Sequence, residues 1–299
     1  MVHFIAFQLF FAIYYLTLLH DCSEATCGQP FFEPMLLKRR AAGNRISYGS
    51  EAVPHSYPWL AFLLTRFGNE SQSCGGSLIH WSDENASDII LTAAHCVVDM
   101  KQVQEPHSFW EELYLNVARF FLWNNRYGIN IASPSDISVY LGVHDIGIAG
   151  INAQRQAVAA VVTGTFHKYS RPDDIAILKL QQKVPYDYFV QGICLPSENE
   201  VLPDGSSCVV AGWGRLEFDQ RWTRLQQLEV FIFQGEIDHR RFQKQNMICA
   251  GSMCMDGGPR AGDSGGPLAC VNNGYFRNTM YTKVPNYLTW MRNEIAKLQ

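Results

Sequence analysis

Short strand-like runs recur along this chain, at 57–65, 77–79, 89–92, 139–141, 157–162, 175–180, 208–211 and 228–233, with turn-forming residues between them. Many short strands without intervening helices restrict the chain to an all-β architecture, a barrel or a sandwich. The 23 glycines, 13 prolines and 13% aromatic residues suit such a fold better than a helical bundle. At 299 residues, 47% hydrophobic and 17% charged, the chain is too long and too apolar to stay disordered, and it buries one large core or two small ones.

Two segments depart from the strand pattern. Over 286–298, Leu288, Met291, Ile295 and Leu298 fall at helical spacing, which predicts a terminal amphipathic helix docked by one face. Ser108-Phe109-Trp110-Glu111 has the form of a capping box, and Trp110, Leu113, Tyr114, Val117, Phe120 and Phe121 follow on one face, predicting a helix over 109–123. The formal net charge of -4 leaves no basic surplus to neutralise phosphates, so nucleic acid is not an expected partner.

Residues 4–19 carry no charge, and the chain then turns polar and offers Ser23-Glu24-Ala25, with small residues first and third before a cut. This predicts a secretory signal peptide over 1–25; the alternative is a membrane anchor, because the run comes close to the length of a bilayer span. Cleavage after Ala25 removes Cys22 from the nine cysteines and leaves an even number, which in an exported chain implies disulfides. Asn69-Glu70-Ser71 and Asn85-Ala86-Ser87 are glycosylation sequons for such a chain. A short pro-segment is read over 26–45, opening on Cys27-Gly28-Gln29-Pro30 and ending in Lys38-Arg39-Arg40 and Arg45. The expected product is a secreted, extracellular protein with no stable membrane span.

Three elements carry chemistry, in the order Leu91-Thr92-Ala93-Ala94-His95-Cys96, Asp173-Asp174-Ile175-Ala176-Ile177-Leu178 and Gly262-Asp263-Ser264-Gly265-Gly266-Pro267. Acyl transfer at neutral pH needs a hydroxyl nucleophile, an imidazole to take and return its proton, and a carboxylate to hold that imidazole in one tautomer. Ser264, His95 and Asp174 are of those types. The glycines around Ser264 allow a sharp turn that aims the N–H groups of Gly262 and Ser264 at a developing oxyanion.

Together and in this order, the three elements resemble the chymotrypsin-like (trypsin-fold) serine peptidase family, and the resemblance covers most of 27–299. It implies two antiparallel Greek-key β-barrels with a C-terminal α-helix, and a peptidase domain over 46–299. Arg45-Ile46-Ser47-Tyr48-Gly49 resembles the family's activation site, where an activating protease cuts after the basic residue. The freed amine, here of Ile46, then pairs with the Asp preceding the nucleophile, here Asp263. Ser47 and Tyr48 depart from the family's usual Val-Gly. Cys27-Gly28-Gln29-Pro30 resembles a chymotrypsinogen-type pro-segment, which implies a Cys27–Cys194 bridge that keeps the segment attached. The family also implies Cys74–Cys96 and Cys208–Cys270, each worth on the order of 3 kcal/mol.

The chain also departs from the family. His95 and Asp174 lie 79 residues apart, well beyond the usual spacing, with the excess at about 98–138. This insertion is read either as a lid or partner-docking surface, or as a surface elaboration or mis-joined transcript. Only ten residues separate Cys270 from Tyr281-Thr282-Lys283-Val284, so the strand that walls the family's primary specificity pocket is expected to be absent. Arg260 stands where a pocket Cys is usual, and Gly258 where trypsin-like members carry an Asp; Asp256 is a nearby substitute. Cys249 has its usual flanks without its usual partner, leaving Cys254 as one candidate. No cofactor and no metal are expected, since 143–156 offers Asp145 as its only carboxylate to a calcium ion. The expected function is a secreted serine endopeptidase zymogen acting on protein or peptide substrates. The rival is a weak or inactive peptidase homologue that binds a partner through a disabled cleft.

Overall fold

A computed structural model describes residues 27–36, 49–82, 84–99, 130–147, 153–164, 173–198, 200–214, 223–232, 246–251, 262–272, 275–278 and 282–299. The predicted signal peptide, the predicted helix at 109–123, the activation sequence from Arg45 to Tyr48, and Cys254, Asp256, Gly258 and Arg260 lie outside the described residues.

The first six long strands in chain order are β2 (Leu60–Phe67), β3 (Glu70–Leu78), β4 (Ala86–Thr92), β5 (Ile137–Leu141), β6 (Gln154–Thr163) and β7 (Ala176–Pro185), preceded by the short β1 (Ser50–Glu51). They close a barrel in the order β2-β3-β4-β7-β6-β5. β2 and β3 form a hairpin in full register from Leu60↔Ser77 to Phe67↔Glu70 around Gly68-Asn69, with Gly68 supplying a φ of +59° that a side chain would resist. β5 shows the alternation of a half-buried strand, with Ile137, Val139 and Leu141 inward.

The apolar run of β4 has a different cause. Ile90 points into the barrel interior with Leu63, Val139 and Leu178, whereas Ile89 and Leu91 join a second core. β7, paired to β4 with Thr92↔Ala176 and Ile90↔Leu178, divides in the same way, Ala176 and Leu178 inward and Ile177 outward. Both faces are buried, so the sequence reads as continuously apolar.

The second sheet is built from β8 (Ser207–Gly212), β9 (Gln226–Ile232), β10 (Ala250–Gly251), β11 (Leu268–Asn272) and β12 (Tyr275–Asn278). Its order is β1-β9-β8-β11-β12, with β10 also on β9, and among the described residues it is an open sheet. The core shared by barrel and sheet contains Trp59, Ile79, Leu91, Ile177, Val209, Ala211 and Trp213. A 3₁₀ turn (Val284–Tyr287) leads into α1 (Leu288–Lys297), which docks Leu288, Met291 and Ile295 on that core, while Leu298 caps the end half-buried. No helix among the described residues is long and apolar enough to cross a membrane.

Two expectations need correction. A strand does follow Cys270: β12 pairs antiparallel with β11 through Cys270↔Arg277 and Asn272↔Tyr275. The two residues between that last pair are Asn273-Gly274, the strongest short hairpin signal, which the spacing argument overlooked. Part of the stretch expected as an insertion at about 98–138 is also paired with the body. Val98 bridges Ile131, Asp99 N–H donates to Asn130 O (2.9 Å), and Ala132 N–H donates to Val97 O (2.8 Å). Residues 130–138 therefore belong to the body, where a Pro134–Asp136 turn feeds β5.

Candidate active site

His95 lies in the 3₁₀ turn Ala94–Cys96 that ends β4, and Asp174 lies just before β7 begins. Because Thr92 and Ala176 are paired, those adjoining strand ends bring together residues 79 apart in sequence. The contact is double: His95 Nδ1 is 2.7 Å from Asp174 Oδ2, and the His95 amide donates to Oδ1 at 2.9 Å. Side-chain exposures of 19% and 17% keep the pair shielded yet reachable. An ionised carboxylate only accepts, so Nδ1 carries the proton and Nε2 keeps its lone pair free to act as a base. Gln72 Nε2 braces the turn by donating to His95 O at 3.3 Å, and Cys96 is bonded to Cys74 of β3.

The Ser264 loop enters from the second sheet, just before β11. Gly262 and Gly265 have φ of +108° and +82°. A Cβ on Gly265 would lie 2.3 Å from Thr92 Oγ1 and 2.6 Å from Gly75 O, so only glycine fits there. Thr92 Oγ1 itself donates to Gly75 O at 2.8 Å. The Gly75 amide donates to Ser264 O at 2.8 Å, and Cys96 Sγ lies 3.5 Å from the same oxygen. The backbone of Ser264 is thus held against the turn that carries His95.

Asp263 is seated between glycines. The Gly214 amide donates to Asp263 Oδ1 at 2.7 Å, and a Cβ on Gly212 or Gly214 would come within 2.3 or 2.2 Å of the carboxylate.

Residues 27–36, the start of the segment expected as a pro-segment, lie along the body. Cys27 is bonded to Cys194, Gly28 N–H donates to Gly192 O (2.9 Å), and Gln227 Nε2 donates to Met35 O (2.8 Å). Tyr57 OH completes this last chain by donating to Gln227 Oε1 at 2.6 Å, and burial pushes its phenol well above the usual range. Phe32 stacks near Phe189, whose ring His55 meets edge-on at 4.6 Å. His55 has a φ of +61°, and its pKa is lowered by burial first and by His144 second, with Asp187 opposing. The third bridge, Cys208–Cys270, joins β8 to β11. Asn69 and Asn85 are both exposed.

Among the described residues the ligand-type atoms that cluster are those of Cys74, His95 and Cys96. Both sulfurs are consumed by their disulfide and Nδ1 faces Asp174, so the group does not fit a metal ion. Asp145, the acid of the calcium-type loop, receives the Gly147 amide at 2.8 Å and faces Arg224 at 3.5 Å. Sequence reasoning missed Thr282, whose Oγ1 donates to Asp174 O at 3.1 Å, and Tyr287, whose hydroxyl donates to Asp173 Oδ1 at 2.7 Å.

The family model described as Trypsin matches residues 46–139 and 128–291. Mouse cathepsin G is 28% identical over 280 residues, covering 88% of this chain and 90% of that protein. Rat granzyme-like protein 2 is 27% identical over 271 residues, covering 86% and 92%. A solved structure described as "Structure of GrC" superposes with a TM-score of 0.61 at 23% identity, over 83% of this chain and 98% of that one, a likeness of fold.

Proposed function

The chain belongs to the trypsin family of serine peptidases, and on that premise we propose that it is a secreted endopeptidase zymogen in which Ser264, His95 and Asp174 hydrolyse peptide bonds. The observation that carries this reading is the two-point contact of Asp174 with His95, made beside the Ser264 loop. In the reaction, Ser264 Oγ attacks the scissile carbonyl while His95 Nε2 takes its proton. The oxyanion that forms accepts from the N–H groups of Gly262 and Ser264. His95 then returns the proton to the leaving amine, and water, activated by the same nitrogen, releases the acyl group. Asp174 stays ionised and stabilises the imidazolium at each transfer.

Activation follows cleavage after Arg45, when the amine of Ile46 pairs with Asp263. The cradle of Gly212 and Gly214 supports this, because neither glycine carries a side chain that would crowd that carboxylate beside the nucleophile. Removing one partner of a buried pair costs about 3 to 5 kcal/mol, enough to disorder an oxyanion hole. Labelling of Ser264 by a serine-directed phosphonate, before and after cutting at Arg45, tests the reading. Rapid labelling only after the cut is expected, and no labelling in either form refutes it.

A further inference from the structure

The Asp173-Asp174 pair raises a problem that the triad alone does not address. Two identical carboxylates stand side by side in sequence, both half-buried, and one of them, Asp174, meets the imidazole of His95. A mobile Asp173 would compete for Nδ1 of His95 or pull Asp174 out of line, because like charges repel strongly in a shielded site.

The backbone around the pair is tightly held. Ile175 N–H donates to Asp173 O at 2.8 Å, closing a three-residue turn centred on Asp174. Gly164, at the end of β6, donates its amide to Ile175 O at 2.8 Å, and a Cβ on it would lie 2.8 Å from Asp173 O. From the other side, Thr282 Oγ1 donates to Asp174 O. The two side chains then diverge: Asp174 meets His95, and Asp173 meets the hydroxyl of Tyr287 at 2.7 Å.

We propose that Tyr287 is a positioning residue for the active site, which by binding Asp173 reserves His95 for Asp174. The reading rests on the triad assignment above and goes beyond it, because it makes the turn before α1 part of the catalytic geometry. Tyr287 is 7% exposed, and burial, then its bond to Asp173, raise its phenol far above the ordinary range, so the hydroxyl remains a donor at every working pH. Asn246, which faces the same oxygen, acts in the opposite sense and leaves that direction unchanged. Asp173 is thus tied by a group that cannot become an anion and release it.

The test is a cycle of Tyr287→Phe and Asp173→Asn in the full chain, read first by proton NMR on the low-field resonance of the hydrogen shared by His95 Nδ1 and Asp174. The uncut protein suffices, so the result does not depend on turnover. The parent is expected to show the resonance, and Tyr287→Phe to exchange it with solvent at least about tenfold faster, since a released Asp173 competes. In the Asp173→Asn background, where the competitor is uncharged, Tyr287→Phe should change that rate by no more than about twofold, which is non-additive. After the cut at Arg45, kcat should follow the same pattern with KM nearly constant. Absence of the resonance in the parent, an unchanged rate in Tyr287→Phe, or equal losses in both backgrounds overturns the proposal, the last because a packing role is indifferent to the charge on Asp173. Asp173→Asn alone, with Tyr287 intact, must keep the resonance, and its loss there overturns the proposal as well. If the resonance behaves as expected while phosphonate labelling fails, the peptidase reading falls and the positioning role stands.

Discussion

The amide of Gly75 donates to the carbonyl of Ser264 across 2.8 Å, joining the barrel strand β3 to the loop before β11 of the second sheet. Each glycine near this bond has a reason in its surroundings. Gly75 would place a Cβ 3.0 Å from the backbone of Gly266, and Gly265 would place one 2.3 Å from Thr92 Oγ1. The expected cost of Gly265→Ala is therefore both steric and conformational.

Gly265→Ala should lose about 1 to 3 kcal/mol of stability from its left-handed backbone alone, with the overlap adding to it. Phosphonate labelling of the cut protein should slow by at least about tenfold. Denaturant unfolding together with labelling kinetics checks both, and an unaffected labelling rate would mean that the loop tolerates displacement from Thr92.

Replacing members of a cooperating catalytic unit is strongly non-additive. Ser264→Ala should lose on the order of 10⁴-fold or more in kcat, and adding His95→Ala should lower the remainder little further. Steady-state kinetics on a peptide ester measures this. Substantial turnover by Ser264→Ala with normal substrate binding would require another nucleophile.

Cleavage after Arg45 should leave the peptide that begins near Thr26 attached through Cys27 and Cys194. Mass spectrometry of the cut, unreduced protein should find one species, and reduction should release the peptide. Release without reductant would contradict the bridge.

His55, whose ring lies beside Phe32 and Phe189, gives the folded chain a dependence on pH. Its folded pKa is lowered, so the neutral ring is favoured in the folded state and the contribution to stability is complete above the unfolded value near about 6.5. It is lost as pH falls through the lower folded value. Thermal unfolding between neutral and mildly acidic pH should show a smaller drop for His55→Gly than for the parent, and glycine also suits the φ of +61°. Equal drops would assign the acid sensitivity elsewhere.

On the expectation that Gly258 stands where trypsin-like members carry an Asp, a basic side chain meets no carboxylate at that position, so cleavage after Lys or Arg should not be preferred. The ten residues between Cys270 and Tyr281 leave little chain for an edge that grips a substrate backbone, and turnover should be low, because orientation supplies about 7 to 11 kcal/mol of barrier reduction in well-positioned reactions. Profiling on a peptide library checks this, and rapid, selective cleavage after Arg would show that Asp256 takes over.

The apolar strands were legible because their side chains are buried on one or both sides, as in β4, β5 and β7. The exposed hairpin arm Glu70–Ser73 and the polar start of β6, Gln154–Gln156, carry no such signal, so those strands were read too short. β1 and β10 span two residues each, below the length at which periodicity has meaning. At the site, His95 and Asp174 were legible from their flanking strands, whereas Tyr287 falls inside the helix expected over 286–298, with no role of its own. Its hydroxyl acts across 114 residues of sequence, and no local pattern encodes such a contact.

The paired neck formed by Val98 and Ile131 separates length from geometry at this point of the chain. Closing a loop between two sides so joined costs entropy that rises by only roughly 0.6 kcal/mol for each doubling of its length. A site three residues beyond His95 is thereby open to evolutionary experiment without moving the imidazole, and two genes of this architecture can differ widely there while sharing one catalytic frame.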